Sequence, residues 1–211
     1  MKTKLVVLHG LSMNGEVMCQ KMQSLRGRLA ELVDLEFLDA PHPSGEHTLA
    51  RLYDGARAVF RPAPPHLEWW NASDDARTYR GHEASLELVR ERLAQHPSVG
   101  LLGFSQGATF AAALAALSER AELPRLGFAV MIAGRLPRST QWGPLFDVPL
   151  RTPSLHVWGL RDRYATASSP ALLEAFAASS REAVPWRGPH VVPTHGVAAD
   201  AIVDFVRRQL S

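Results

Sequence analysis

The stretch LLGFSQGATFAAALAAL, residues 101–117, decides the fold. It begins as the end of an apolar, strand-like run and from Ala108 becomes a series of small helix formers. Alanine has the highest helix propensity of any residue, so a strand should enter a helix here with almost no connecting loop. Ser105 stands at the joint, between Gly103 and Gly107, in the pattern G-x-S-x-G. Chance alone supplies about 0.07 such matches in a chain of this size, so the context must carry the argument. A serine N-cap accounts for the hydroxyl but for neither glycine. A strained strand-to-helix turn that lifts the serine oxygen above a sheet accounts for all three, because the flanking glycines permit both the turn and a close approach of helix to strand.

Outward from this joint, short β-rich runs alternate with helical patterns. The expected strands are KLVVLH (4–9), VDLEFLD (33–39), VGLLGF (99–104), GFAVMIA (127–133), SLHVWG (154–159) and EAVPWR (182–187). Met18, Met22, Leu25, Leu29 and Leu32 recur in steps of four and three after Asn14, which suits an N-cap. Leu86, Val89 and Leu93 repeat the spacing, as do Ile202, Phe205 and Val206, and SSPALLEAFAAS (168–179) reads as a further helix with Pro170 in its first turn. The alternation predicts an α/β fold: a mostly parallel central sheet of about six strands, flanked by helices on both faces.

The segment from 40 to 81 breaks this rhythm, being rich in Pro, Gly and aromatic residues. Long irregular connections in compact domains are usually lids or binding loops. The expected organisation is therefore one domain over 1–211 with an irregular, lid-like insertion at about 42–78.

Composition narrows the function classes. Residues of the apolar set make up 46% of the 211 and charged ones 21%, the balance of an ordinary globular protein long enough for one core. The formal charge is +2, but Lys and Arg are interleaved with Asp and Glu, so no nucleic-acid footprint is expected. No apolar run reaches membrane-spanning length, so no membrane partner is expected either. Cys19 is the single cysteine, which excludes an internal disulfide and agrees with a reducing compartment. The expected location is the cytoplasm.

A serine hydroxyl is a poor nucleophile until a base takes its proton and an acid orients that base. In a sheet of this kind the acid and the histidine follow in chain order, each in a loop beyond a later strand. Asp162 lies just after SLHVWG, on the same sheet edge as Ser105; Asp147, its nearest rival, precedes that strand. His190 falls between the last strand and the terminal helix, a position from which a base reaches back over the sheet edge. His195 is the alternative, while His9 comes too early in the chain and reads as structural.

Acyl transfer also needs donors for the developing oxyanion. The backbone N–H of Gln106, next to the nucleophile, should supply one, and the loop LHGLSMNG after the first strand makes Leu11 the second. Ser12 and Met13 stand where they would line the pocket mouth. Trp69, Trp70, Trp142 and Tyr164 either overhang the elbow as substrate contacts or simply pack the irregular segments. Val191, beside His190, joins them as a candidate substrate contact. If these residues line the site, an apolar acyl group of modest length is favoured.

Several stretches together resemble the FSH family of serine hydrolases, within the α/β-hydrolase superfamily. They are LHGLSMNGEV (8–17), LDAP (38–41), WW (69–70), YRGHEASLELV (79–89), LLGFSQGATFAA (101–112), AVMIAGRLPR (129–138), PSLHVWGLRD (153–162) and GPHVVP (188–193), spread over nearly the whole chain. The resemblance implies an α/β-hydrolase fold, a triad of Ser105, Asp162 and His190, and esterase or thioesterase activity on a small-molecule substrate without metal or organic cofactor. This chain carries Gly188-Pro189 where the family usually has Gly-Gly before the histidine, and its loop around the acid, GLRDRYA, is more basic. The runner-up is the acyl-protein thioesterase and carboxylesterase family, which shares GFSQG and an HGL start but not the DAP and YRG segments. A non-catalytic binding protein on the same fold is the reading from outside the enzyme class.

Overall fold

The computed structural model describes residues 2–53, 62–96 and 99–211. Six strands form the central sheet: β1 (Lys4–Leu8), β2 (Asp34–Leu38), β3 (Val99–Phe104), β4 (Phe128–Ile132), β5 (Ser154–Gly159) and β6 (Arg181–Trp186). Every neighbouring pair is parallel, and the order across the sheet is β6-β5-β4-β3-β1-β2. Each expected strand is present within a residue or so of its boundaries, as an α/β-hydrolase fold requires.

The helices are α1 (Gly15–Ala30), α2 (Glu46–Tyr53), α3 (His82–Ala94), α4 (Gln106–Glu119), α5 (Ser169–Glu174) and α6 (Gly196–Gln209). Alternation along β1 divides the core in two, as the period-two geometry of a strand demands. Leu5 and Val7 join Met18, Met22, Leu25 and Leu29 of α1 and Ile202, Phe205 and Val206 of α6 on one face. Val6 and Leu8 join Val89 and Leu93 of α3 and the alanine-rich α4 on the other. From Gly107 to Leu117 every residue of α4 is buried. A helix apolar all round belongs in an interior, and its small side chains let it lie close against the sheet beneath and the aromatic residues above.

Asn14 caps α1 as expected, its Oδ1 accepting from the Val17 N–H at 2.8 Å. Its amide has a second use, donating to the carbonyls of Ala63 and Pro65 and so fastening the irregular segment to the sheet edge. The helix expected over 168–179 is shorter, ending at Glu174. Phe176 leaves it to form a parallel bridge with Leu150, and the Arg181 guanidinium takes the carbonyls of Leu173 and Phe176, which replaces the bonds another turn would have made.

The lid-like segment expected at 42–78 includes residues 54–61, which lie outside the described residues. Its described parts hold two short antiparallel pairs, His42–Pro43 with Leu67–Glu68 and Asn71–Ala72 with Tyr79–Arg80. Between them Trp69 and Trp70 enter the core.

Candidate active site

The strand order reverses between β1 and β3, because β2 lies on one side of β1 and the later strands run out on the other. Ligand sites in open parallel sheets form outside the carboxyl ends of the strands at such a reversal. Ser105 follows β3 and Leu11 follows β1, and Leu8 pairs in register with Gly103, so the two loops leave the sheet side by side.

Ser105 adopts φ 54° and ψ −112°, a region costly for any residue with a Cβ, about 1–3 kcal/mol. Hydrogen bonds hold it there. Its N–H donates to the Ile132 carbonyl at 2.9 Å, and its own carbonyl accepts from the amides of Ala108 and Thr109. The flanking glycines are required by contact: a Cβ on Gly103 would overlap the Gly107 carbonyl, and one on Gly107 would overlap the Leu8 carbonyl. The turn expected from the G-x-S-x-G pattern is thus present, with the hydroxyl half-buried at the sheet edge.

The structure brings Asp162 and His190 to that hydroxyl. His190 Nε2 lies 3.0 Å from Ser105 Oγ, and its Nδ1 lies 2.6 Å from Asp162 Oδ2. The short Nδ1 contact fixes the tautomer, with Nδ1–H donated to the carboxylate and the Nε2 lone pair facing the serine. The Asp162 side chain is fully buried, and its other oxygen accepts from the amides of Tyr164 and Ala165 at 2.8 and 3.0 Å. Both oxygens therefore have hydrogen-bond partners, as a buried carboxylate needs.

The loops carrying Asp162 and His190 follow adjacent strands, β5 and β6. They touch through backbone: the Arg161 N–H donates to the Gly188 carbonyl at 3.0 Å, and a Cβ on Gly159 would overlap that carbonyl. The Val191 N–H returns to the Pro189 carbonyl at 2.9 Å, closing a tight turn around His190. Pro189 suits that turn, and the histidine still meets its carboxylate. His195 instead stands exposed at the start of α6, with Thr194 Oγ1 near its ring. Asp147 is exposed beyond the short 3-10 turn at Gly143–Phe146.

His9 is fully buried at the end of β1. Its Nδ1–H donates to the Gly10 carbonyl and its Nε2 accepts from the Ala40 N–H at 3.0 Å. Burial pushes its pKa down to about 4, against weaker opposing effects from Gly10 and Asp39, so the ring is neutral and structural.

A cleft of about 210 Å³ opens beside Ser105. Leu11, Gln106 and Trp70 line it, with Tyr79, Thr109, Arg135 and Arg138. Its floor is aromatic. Trp70 stacks on Tyr79 with ring centroids 4.6 Å apart, and Trp142 meets Trp70 edge to face with centroids 5.2 Å apart. Trp69 and Trp142 are buried and do not line the cleft; Trp69 packs between His9 and Phe110 and donates its indole N–H to the His9 carbonyl. Ser12 is buried with its hydroxyl unpartnered among the described residues, and Met13 pairs by backbone with Leu67, so neither lines the cleft. Tyr164 and Val191 are exposed beside His190, the tyrosine and imidazole ring centroids 5.3 Å apart.

Two features were missed from the sequence. The Gln106 side chain works independently of its backbone: Oε1 accepts from the Trp69 N–H at 3.0 Å and Nε2 donates to the Trp70 carbonyl at 3.1 Å. It staples the aromatic segment onto the elbow. Arg135 and Arg138 are the second. They follow β4 at the same sheet edge as Ser105, and that position beyond a strand's carboxyl end is the signal that would have found them. The Arg135 N–H bonds Thr109 Oγ1, and the Arg138 N–H donates to the Tyr79 hydroxyl. Burial pushes the Tyr79 pKa up, opposed by the Arg138 amide bond and by both nearby guanidinium charges.

No three His, Cys, Asp or Glu side chains among the described residues cluster as a metal site, and no described helix is long and apolar enough to cross a membrane.

Fold and elbow define the class, an α/β-hydrolase. The solved structures of SOBER1 from Arabidopsis thaliana (TM-score 0.68, 18% identity, all of both chains covered) and of acyl-protein thioesterase 2 from Zea mays (TM-score 0.67, 21% identity, 100% of this chain and 94% of that one) share the fold. The family description Serine hydrolase (FSH1) matches residues 1–202. Esterase AGAP003155 of Anopheles gambiae is 33% identical over 99% of this chain and 79% of its own length, and Esterase OVCA2 of Danio rerio is 31% identical over 97% and 96%. The chain belongs to the FSH1 family of serine hydrolases.

Proposed function

We propose that this serine hydrolase cleaves carboxylic esters or thioesters of small molecules through an acyl-enzyme on Ser105. The observation that carries the reading is the unbroken path from Asp162 Oδ2 through His190 to Ser105 Oγ, with spacings of 2.6 and 3.0 Å. Ser105 Oγ attacks the carbonyl carbon while its proton passes to His190 Nε2. Asp162 holds the imidazole in the receptive tautomer and stabilises the imidazolium. The carbonyl oxygen becomes an oxyanion facing the backbone N–H groups of Leu11 and Gln106. The Gln106 amide opens α4, where N–H groups lack partners within the helix and the dipole favours negative charge. Collapse of the intermediate breaks the C–O or C–S bond, and Nε2–H protonates the departing oxygen or sulfur. Water then attacks the acyl-enzyme, giving one proton to His190 and releasing the acid, and the serine regains its proton.

The cleft beside Ser105 receives the acyl group, with an apolar stem against Trp70 and Leu11. Tyr164 and Val191 flank the leaving group on the His190 side. Trp70, Ala72, Ser73, Asp74 and Ala76 of the irregular segment form one wall of the cleft and cover it. The cytoplasm is the site of action, in keeping with the unpaired Cys19.

Turnover of p-nitrophenyl esters by Ser105→Ala tests the assignment. The variant should fold with an unchanged Tm and lose about 10⁴-fold or more in kcat. Turnover within tenfold of the wild type would overturn it.

A further inference from the structure

The proposal drawn here rests on Ser105 being the nucleophile and concerns the acid it accepts. None of the residues lining the cleft comes from the loops that carry Asp162 and His190. The leaving group must meet His190 Nε2 to receive its proton, so it stays on that side of the serine. The cleft is left to the acyl group. At about 210 Å³ it is smaller than the roughly 300–1,000 Å³ of sites for drug-sized ligands, so the acid is short.

The charge of the cleft is distinctive. Arg135 and Arg138 line it against a single carboxylate, that of Asp74. The neighbouring Asp75 carboxylate is already taken by Ser73 Oγ at 2.6 Å and the Arg77 N–H at 3.0 Å. Among the described residues, the Arg135 guanidinium has no hydrogen-bond or ion-pair partner, and that of Arg138 reaches only the Asp75 backbone carbonyl at 3.0 Å. Both backbones are tethered, Arg135 to Thr109 and Arg138 to Tyr79, so the two side chains start from fixed points on the wall. Trp70, Leu11 and Ala72 supply apolar surface in the same space.

We propose that the acyl group ends in an anion: a short methylene stem lies over Trp70 and Leu11, and a terminal carboxylate bonds the free guanidinium donors of Arg135 and Arg138. The preferred substrates are half-esters or half-thioesters of short dicarboxylic acids. Planar guanidinium groups match a carboxylate better than lysine would, offering two parallel N–H donors each.

Three phenyl esters of nearly equal acyl length test this: the mono-ester of adipic acid, its neutral terminal amide, and phenyl hexanoate. The wild type should favour the acid over the amide by about tenfold in kcat/KM, the scale of one charge-assisted hydrogen bond. The acid-to-amide ratio should fall to about one in Arg135→Gln/Arg138→Gln, and it should shrink in wild type as salt is raised. If the double variant does not fold, Arg135→Gln alone carries the test through the same ratio. A wild-type ratio near one, or a ratio that survives both substitutions, overturns the proposal. Phenyl hexanoate separates the two readings: if its hydrolysis needs Ser105 while the ratio is near one, only the anionic subsite fails, and if it does not need Ser105, the nucleophile itself is wrong.

Discussion

Two sides of Ser105 are built by different means. On one side, Asp162 and His190 hang from adjacent strands, and their loops are locked to each other by backbone, through the Arg161 to Gly188 bond and the close approach at Gly159. On the other, the cleft is walled by a segment outside the sheet, held by side chains: the Gln106 amide, the Asn14 amide, and the stacked pair Trp70 and Tyr79 with Trp142 edge-on to both. Sheet topology sets the chemistry, whereas side-chain packing sets the shape of what enters. The first side should fail all at once when touched, and the second should yield by degrees.

The two histidines mirror that contrast. His190 is a quarter exposed, with one nitrogen left for proton exchange. His9 is sealed at the end of β1 with both nitrogens engaged.

The largest effect that would break the comparison is on the first side. Asp162→Asn keeps the shape but removes the acceptor that selects the His190 tautomer, so kcat should drop by about 10⁴-fold. Steady-state kinetics giving a loss below tenfold would mean the tautomer is set elsewhere.

The buried histidine gives the next effect. An unfolded imidazole takes up a proton near pH 6.5, but folded His9 resists until about pH 4, so unfolding absorbs a proton in that window and stability falls as pH falls from about 6.5 to 4. The loss from His9 should total roughly 3 kcal/mol at about 1.4 kcal/mol per pH unit. His156, held down to about 3 by burial and then by Arg181, adds to it. Urea unfolding at pH 7 and 4.5 measures this, and equal stabilities would show that both rings protonate in place.

The smallest effect sharpens the other side. Gln106→Ala keeps the backbone N–H but removes the staple on Trp69 and Trp70, at a cost of about 2 kcal/mol and a Tm drop of roughly 4–8 °C. KM should rise while kcat changes less than tenfold. A kcat loss as large as that of Asp162→Asn would place the side chain in the chemistry rather than the wall.

Much of this was legible in the sequence because periodicity encodes burial. The six strands, the N-cap at Asn14 and the Ser105 turn each have a local signature, and chain order was enough to bring Asp162 and His190 to the serine. What escaped depended on contacts between distant segments. Trp69 and Trp142 look alike in sequence whether they line a cleft or pack beneath it, and only the partners His9, Phe110 and Tyr79 decide. The helix over 168–179 was overextended because Arg181, beyond its end, takes the carbonyls of its last turn. The pair Arg135 and Arg138 gained meaning only once β4 was seen to end beside the elbow.

The central claim is that Ser105 is made reactive by His190. Incubation with a fluorophosphonate, followed by peptide mass mapping, tests it most directly. The account predicts one adduct, on Ser105, forming at least a hundredfold more slowly in His190→Ala. An adduct on another residue, or equal labelling rates in the two proteins, would contradict it.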